Sequence, residues 1–310
     1  MTRQAPVIAS FSVTEQVLAE TDAESGFFEE HLERGSFLVF PPNLLPLPPE
    51  NDQEFLREKL SENLANKNIS YHPEGDYLTG LKADRAMRRR TRAILKAHHR
   101  ETKALVSRLF PHYAARMSCG KVNARPLEEQ GRALSVRASN ERVHVDSLAS
   151  GATGGDRILR FFTNIHPSQI RIWKSGGLFP DLFEEFAEEA GLSGLSPGSL
   201  NPGPGLKLFS GTLKLLSRLG FPQPEMALNN TPYDRKMRKF HNFLKENNRF
   251  QEDEARFACI EFPPFYSWAV LTDMVSHAVI SGRHALVNTF HIRLSDCRRP
   301  DLAPYHILTA

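Results

Sequence analysis

Cysteine is scarce in this chain. The three present, Cys119, Cys259 and Cys297, lie far apart, which argues against a disulfide framework or a thiolate metal cage and for a reducing compartment. Long apolar runs are also missing. No stretch approaches the length of a membrane span, and the N-terminus MTRQAPVIASFSVTEQ has no signal-peptide core, so the expected location is cytoplasmic with contact to a membrane surface left open. Neither Gly-x-Gly-x-x-Gly nor a phosphate loop occurs, and the GATGG at 151–155 precedes a strand-like run where a nucleotide fold needs a helix. No Gly-x-Ser-x-Gly elbow supports a serine hydrolase, and no internal repeat is visible. Net charge is only +3; 310 residues with 40% hydrophobic content suffice for one large core.

What is present centres on Asn140–Trp173, which holds the only His-x-Asp pair, His144 and Asp146. Side chains alternate across a strand, so the two share a face. With a second histidine from further along they form the two-histidine, one-carboxylate set that leaves iron positions open for a cosubstrate and oxygen. His277, His284 and His291 compete for that place. His277, in LTDMVSHAVISG, ranks first because small or apolar residues surround it. After Asp146 a small-residue loop, SLASGATGG, lets backbone or substrate come close. The run RILRFFTN then sets Arg160 among apolar residues, and Arg171 and Trp173 follow. Arginines behind an acidic ligand suit a metal that shares its site with an anionic cosubstrate.

Strands are expected at 132–138, 141–146, 157–164, 256–261, 267–272 and 285–293, with SFLVF at 36–40 before the proline-rich PPNLLPLPP. Helices are expected at 11–34, 50–62, 82–108, 178–190 and 232–247, and an exposed Gly/Ser/Pro-rich loop at 191–205. Strands on both sides of a helical insertion fit a closed or double-sheet antiparallel architecture. The run Lys82–Arg108 carries ten basic residues against two acidic: a solvated helix face, or a surface for phosphate, nucleic acid or acidic lipid headgroups. In 232–247, Met237, Phe240, His241 and Leu244 share one face. His241 is either a core-edge residue or a group that reaches the open side of the metal site to position oxygen or substrate.

The blocks RVHVDS, LRFFTNIHP, RIW and FPPFYSWAVLTDMVSHAVISGRHALVNTFHI resemble those of the 3-deoxy-D-manno-octulosonic acid (Kdo) 3-hydroxylases of Gram-negative bacteria, iron(II)/2-oxoglutarate dioxygenases. The resemblance covers most of residues 80–295. It implies an α+β fold with a double-stranded β-helix (jelly-roll) core, in one domain over 1–310: a mainly helical part at 1–120, then the core at 121–300 with a helical insertion at about 175–250. It implies Fe(II) on His144, Asp146 and His277, with 2-oxoglutarate held by Arg125, Arg160, Arg171 and Trp173, and O2 as the other cosubstrate. The implied substrate is Kdo on a lipid A or lipopolysaccharide precursor, at an anionic inner-membrane surface, with no nucleic acid as partner.

One departure from the wider superfamily is visible. The arginine that many members carry nine to eleven residues after the distal histidine is replaced by Leu286, Val287 and Asn288, with Arg283 too near and Arg293 too far. The keto acid must then be clamped from the 125–171 cluster. Asp146 itself favours hydroxylation, because related halogenases lack that carboxylate. Two other readings stay open: a 2-oxoglutarate dioxygenase acting on a protein, nucleic acid or small molecule, and a non-catalytic metal- or anion-binding module.

Overall fold

The computed structural model describes residues 9–147, 153–194, 200 and 231–308. Among them the strands are β1 (Ser10–Ser12), β2 (Phe37–Phe40), β3 (Ile69–His72), β4 (Tyr77–Thr79), β5 (Ser118–Arg125), β6 (Arg157–Asn164), β7 (Arg171–Ser175), β8 (Ala258–Phe262), β9 (Ser267–Leu271), β10 (Ala278–Ser281) and β11 (Ala285–Ile292). The large sheet runs β1-β2-β9-β6-β11-β5-β3-β4 and the small one β10-β7-β8. Pairing is antiparallel except between β1 and β2.

The central strands β9, β6 and β11 read as almost continuously buried runs because both faces are covered. The inner face meets the small sheet: the Trp173 ring stands edge-on to Phe162 at 4.7 Å and to Trp268 at 5.6 Å. The outer face meets the basic helix. Numbering the helices in chain order, these are α1 (Glu15–Glu20), α2 (Phe27–Glu33), α3 (Glu50–Lys59), α4 (Arg85–Leu109), α5 (Pro111–Ala114), α6 (Phe179–Phe186), α7 (Pro232–Glu246), α8 (Asn248–Glu252) and α9 (Pro304–Ile307). Asp84 caps α4, its carboxylate accepting from the Met87 amide at 2.8 Å. Ile94 and Leu95 of α4 then pack with Val122, Ala124 and Leu286 of the sheet.

Several expectations change. The stretch 132–138 makes turns, with Val136 exposed, and lies outside both sheets. The stretch 141–146 makes only an isolated bridge, His144 to His277. Backbone bonds link Asn140, His144 and Asp146 to Val279, His277 and Thr272 in turn, and the turn at 272–274 breaks the ladder. The region 11–34 divides: residues 10–12 join the sheet as β1, and Gly26, at φ 74, separates two short helices. The first 120 residues also supply β1 to β4 and the start of β5, so they build the large sheet as well as covering it. Strands β3, β4, β5, β7 and β10 were not among the expected ones. Of the proposed 191–205 loop, 195–199 and 201–205 lie outside the described residues, as do 148–152 of the loop after Asp146.

Candidate active site

His144 and His277 are held by the backbone. They face each other in an antiparallel bridge and exchange both hydrogen bonds, at 3.1 and 2.8 Å; the Asp146 amide donates to Thr272 O at 2.7 Å. The turn bearing His277 is pinned from below, where Arg157 Nε donates to Asp273 Oδ2 at 2.5 Å, both side chains fully buried. His144 Nε2 lies 3.7 Å from Asp146 Oδ1, and His277 Nε2 lies 3.9 Å from Asp146 Oδ2. Two atoms bound to one ion at about 2.0–2.2 Å stand no more than about 4.4 Å apart, so both separations fit a shared metal.

Each ring is oriented by its other nitrogen. Nδ1 of His144 bonds Arg142 O at 2.6 Å and Nδ1 of His277 bonds Val275 O at 2.9 Å. These bonds leave both Nε2 lone pairs for a metal, the tautomer that ligating imidazoles usually show. His241 comes from α7 and repeats the arrangement, Nδ1 bonding Val145 O at 2.7 Å, between His144 and Asp146. Its ring lies 4.8 Å from that of His144. The ligand atoms of His144, Asp146 and His241 all lie within 4.8 Å of one another, so two overlapping triads are possible. His277 is fixed to His144 by the backbone bridge, and its ring lies on Trp173 at 5.1 Å and 18°. The group within that span includes none of His277, His284 and His291; His277 Nε2 nevertheless lies 3.9 Å from Asp146 Oδ2.

Protonation states suit a divalent cation. Burial is the largest influence on Asp146 and raises its pKa, but Arg160, His144 and His277 outweigh it and hold the carboxyl well below its ordinary range. Burial holds His144 well below the usual imidazole value and lowers His277. His241 is pushed down to about 4, by burial and then by Lys245. Neutral imidazoles beside an ionised carboxylate are what a metal needs.

A second cluster, beside the first, carries surplus positive charge. Arg171 is fully buried; its Nη1 donates to Gly282 O at 2.8 Å, while Nε and Nη2 have no hydrogen-bond partner among the described residues. The same holds for Arg125 Nε and Trp173 Nε1. Buried Glu129 is 4.0 Å from Arg125 and 3.6 Å from Arg132, and neither of its oxygens is hydrogen-bonded. Burial and then Arg125 push Arg171 down to about 10, and burial pushes Lys67 down to about 8. Two buried guanidiniums with unused donors, sharing one carboxylate at ion-pair distance, fit an additional anion.

Arg160 lies between the two clusters and 2.9 Å from Asp146 Oδ2, yet neither atom makes a hydrogen bond. The contact is an ion pair without hydrogen-bond direction. Arg283 and Arg293 are exposed. Leu286 and Asn288 face α4, where Asn288 bonds His99 and Thr102, so the usual clamp register is filled by packing.

Sequence reasoning missed Gly282, Glu128 and Glu129. Gly282 adopts φ 126, and a Cβ there would come within 2.7 Å of Arg171 Cγ; its amide donates to Glu128 Oε1 at 2.6 Å. Only the tertiary contact marks them.

The family described as 3-deoxy-D-manno-oct-2-ulosonic acid (Kdo) hydroxylase matches residues 15–310. No curated protein matches the chain. Among solved structures it is similar to the Kdo hydroxylase KdoO, a non-heme Fe(II) alpha-ketoglutarate-dependent dioxygenase. The complex with alpha-ketoglutarate and Fe(III) has 30% identity, a TM-score of 0.77 and coverage of 97% of this chain and 94% of that one. The apo form gives 31%, 0.76, 97% and 94%.

Proposed function

The chain belongs to the Kdo hydroxylase family, and from that we propose an iron(II)/2-oxoglutarate dioxygenase that hydroxylates Kdo at carbon 3 on a lipid A or lipopolysaccharide precursor. The single observation that carries the reading is the adjacency of the two clusters: an ionised carboxylate among neutral imidazoles, beside buried arginines with donors to spare. The facing sheets are read as the two halves of a double-stranded β-helix. His144, Asp146 and His277 would hold the iron; Arg125, Arg171 and Trp173 would hold the keto acid. Iron(II), 2-oxoglutarate and O2 together supply the oxidant, one oxygen atom ending in the sugar and the other in succinate.

The chain's own residues orient and shield. Arg160 balances the charge of Asp146 and faces the open side. Trp173 fixes the His277 ring and excludes water. His241 ties α7 to the backbone between the two ligands and positions what binds above them; this is a positioning role.

No helix among the described residues is long and apolar enough to cross a membrane. We read α4 as the part that meets an anionic inner-membrane surface from the cytoplasm. Only some of its cations are available, because Arg88 donates to Leu81 O and Leu78 O, and Arg90 pairs with Asp52. Exposed Arg85 and Arg89 are the residues to test. Each cation near such a surface contributes about 1 kcal/mol, lost with salt; replacing both with glutamine should lower vesicle co-sedimentation at low salt, and unchanged sedimentation would remove the membrane reading.

The deciding experiment for the activity is mass spectrometry of lipid A-core from cells with and without the protein. One added oxygen on a Kdo unit, dependent on His144 and Asp146, is expected. Succinate formation without any change in Kdo would move the substrate elsewhere.

A further inference from the structure

A cavity of about 550 Å³ opens on the inner face of the large sheet, within the roughly 300–1,000 Å³ range of small-molecule sites. Register places it. Arg160 pairs with Thr289 across β6 and β11, and Asn123 of β5 with Val287 and Ser70. By the two-residue alternation, Arg160, Asn123 and His72 share one face, and all three line the cavity. Arg160 is also the residue against Asp146, so the cavity begins one side chain from the ligand set.

Its walls differ in chemistry. His72 and Tyr77, opposite each other on β3 and β4, stack at 4.3 Å and 8°. Tyr77 is 47% exposed and lines the cavity. The turn bearing it is braced from α4, where Arg92 donates to Asp76 O and Lys96 pairs with Asp76. Exposed Lys121 and half-buried His291 also line the cavity. The Nδ1 of His291 is buried with no hydrogen-bond partner among the described residues. Gly120 leaves room for that ring: a Cβ there would lie 3.1 Å from His291 Nε2. Glu74, on the β3–β4 turn, also lines the space and offers hydroxyl groups an acceptor.

We propose that this cavity seats the sugar acid itself, its C–H face on the Tyr77 ring and its carboxylate on Lys121 and His291. The assignment rests on the Kdo reading and deepens it. An aromatic face and a carboxylate-binding cation lining one cavity fix an acidic sugar in one orientation; a lipid phosphate alone would need the cation and leave the stacked pair without a role.

Anaerobic calorimetric titration of the iron- and 2-oxoglutarate-loaded enzyme tests it, with three probes in matched micelles: Kdo-bearing lipid A precursor, the same lipid without Kdo, and the Kdo methyl ester. Wild type should prefer the Kdo-bearing lipid by about tenfold over the lipid without Kdo. Tyr77→Ala and Lys121→Gln should each weaken Kdo binding about three- to tenfold, with Tyr77→Phe restored, and with iron content and 2-oxoglutarate affinity unchanged. Esterification should weaken binding to wild type and have little further effect on Lys121→Gln. If wild type prefers the Kdo-bearing lipid but both variants match it, or the ester costs both proteins equally, the cavity assignment fails alone. No preference in wild type would overturn the assignment and the Kdo reading together.

Discussion

Replacing Arg171 with methionine removes a guanidinium and keeps an unbranched stem at a fully buried position. Opposing effects follow. Losing a charge-assisted partner of a buried carboxylate costs about 2–5 kcal/mol, which is roughly 30-fold to several-thousandfold in 2-oxoglutarate affinity. The ligand-free protein meanwhile loses a liability. Burial, and then Arg125, hold the Arg171 pKa at about 10, a depression from the ordinary 12.5 that corresponds to roughly 3 kcal/mol against the charged form. Against that stands the lost bond to Gly282 O, worth about 1 kcal/mol or somewhat more if the carbonyl is left unpaired. The expected variant is therefore folded, with a Tm within a few degrees of wild type, and nearly blind to the keto acid. A thermal-shift titration reads both quantities. At 100 times its Kd, 2-oxoglutarate should stabilise wild type by about 2.7 kcal/mol and Arg171→Met by less than about 1 kcal/mol at the same concentration. Equal stabilisation of the two proteins would refute the anion-cradle argument; a variant unfolded without ligand would refute the charge-surplus argument.

Other substitutions probe separate links. His144→Ala, Asp146→Ala and His277→Ala should each lose most iron in a metal titration, while His241→Ala should keep iron and lower turnover; iron lost in His241→Ala and kept in His277→Ala would exchange the two triads. Gly282→Ala should raise the 2-oxoglutarate requirement and cost about 1–3 kcal/mol of stability, since a Cβ at φ 126 meets the Arg171 stem; unchanged values would mean that the turn and Arg171 move apart freely. Asp273→Ala leaves Arg157 charged and buried, so denaturation should show a loss of about 3–5 kcal/mol, with iron affinity falling as the turn bearing His277 loosens. Arg283→Ala and Arg293→Ala should leave the keto acid requirement unchanged in a steady-state assay, because both residues are exposed; a raised requirement in either would restore the ordinary superfamily register.

Features written in local periodicity were legible in the sequence. The strand expected at 157–164 coincides with β6, and those at 267–272 and 285–293 lie within a residue of β9 and β11, because strands covered on both faces must be apolar at nearly every position. Capped, periodic helices such as α4 and α7 were legible for the same reason. Polar-alternating β5 and the short β3, β4 and β10 were not, since strands of that kind are specified by their neighbours. The expected strand at 132–138 had alternation without a neighbour to pair with.

The anion cradle was only half legible, for an electrostatic reason. Arg125, Arg171 and Trp173 stand out as residue types, but Glu128 and Glu129 look like ordinary solvated acids in RPLEEQGR. Their significance comes from burial. Burial alone would raise both pKa values; yet both are lowered, Glu129 by Arg125, Arg171 and Lys67, and Glu128 by hydrogen bonds from Gly282 and Gln169. Glu129 stays ionised there because cations outnumber it, and that excess leaves room for a further carboxylate. Arg160 follows the same logic: its guanidinium lies against the Asp146 carboxylate and borders the open cavity.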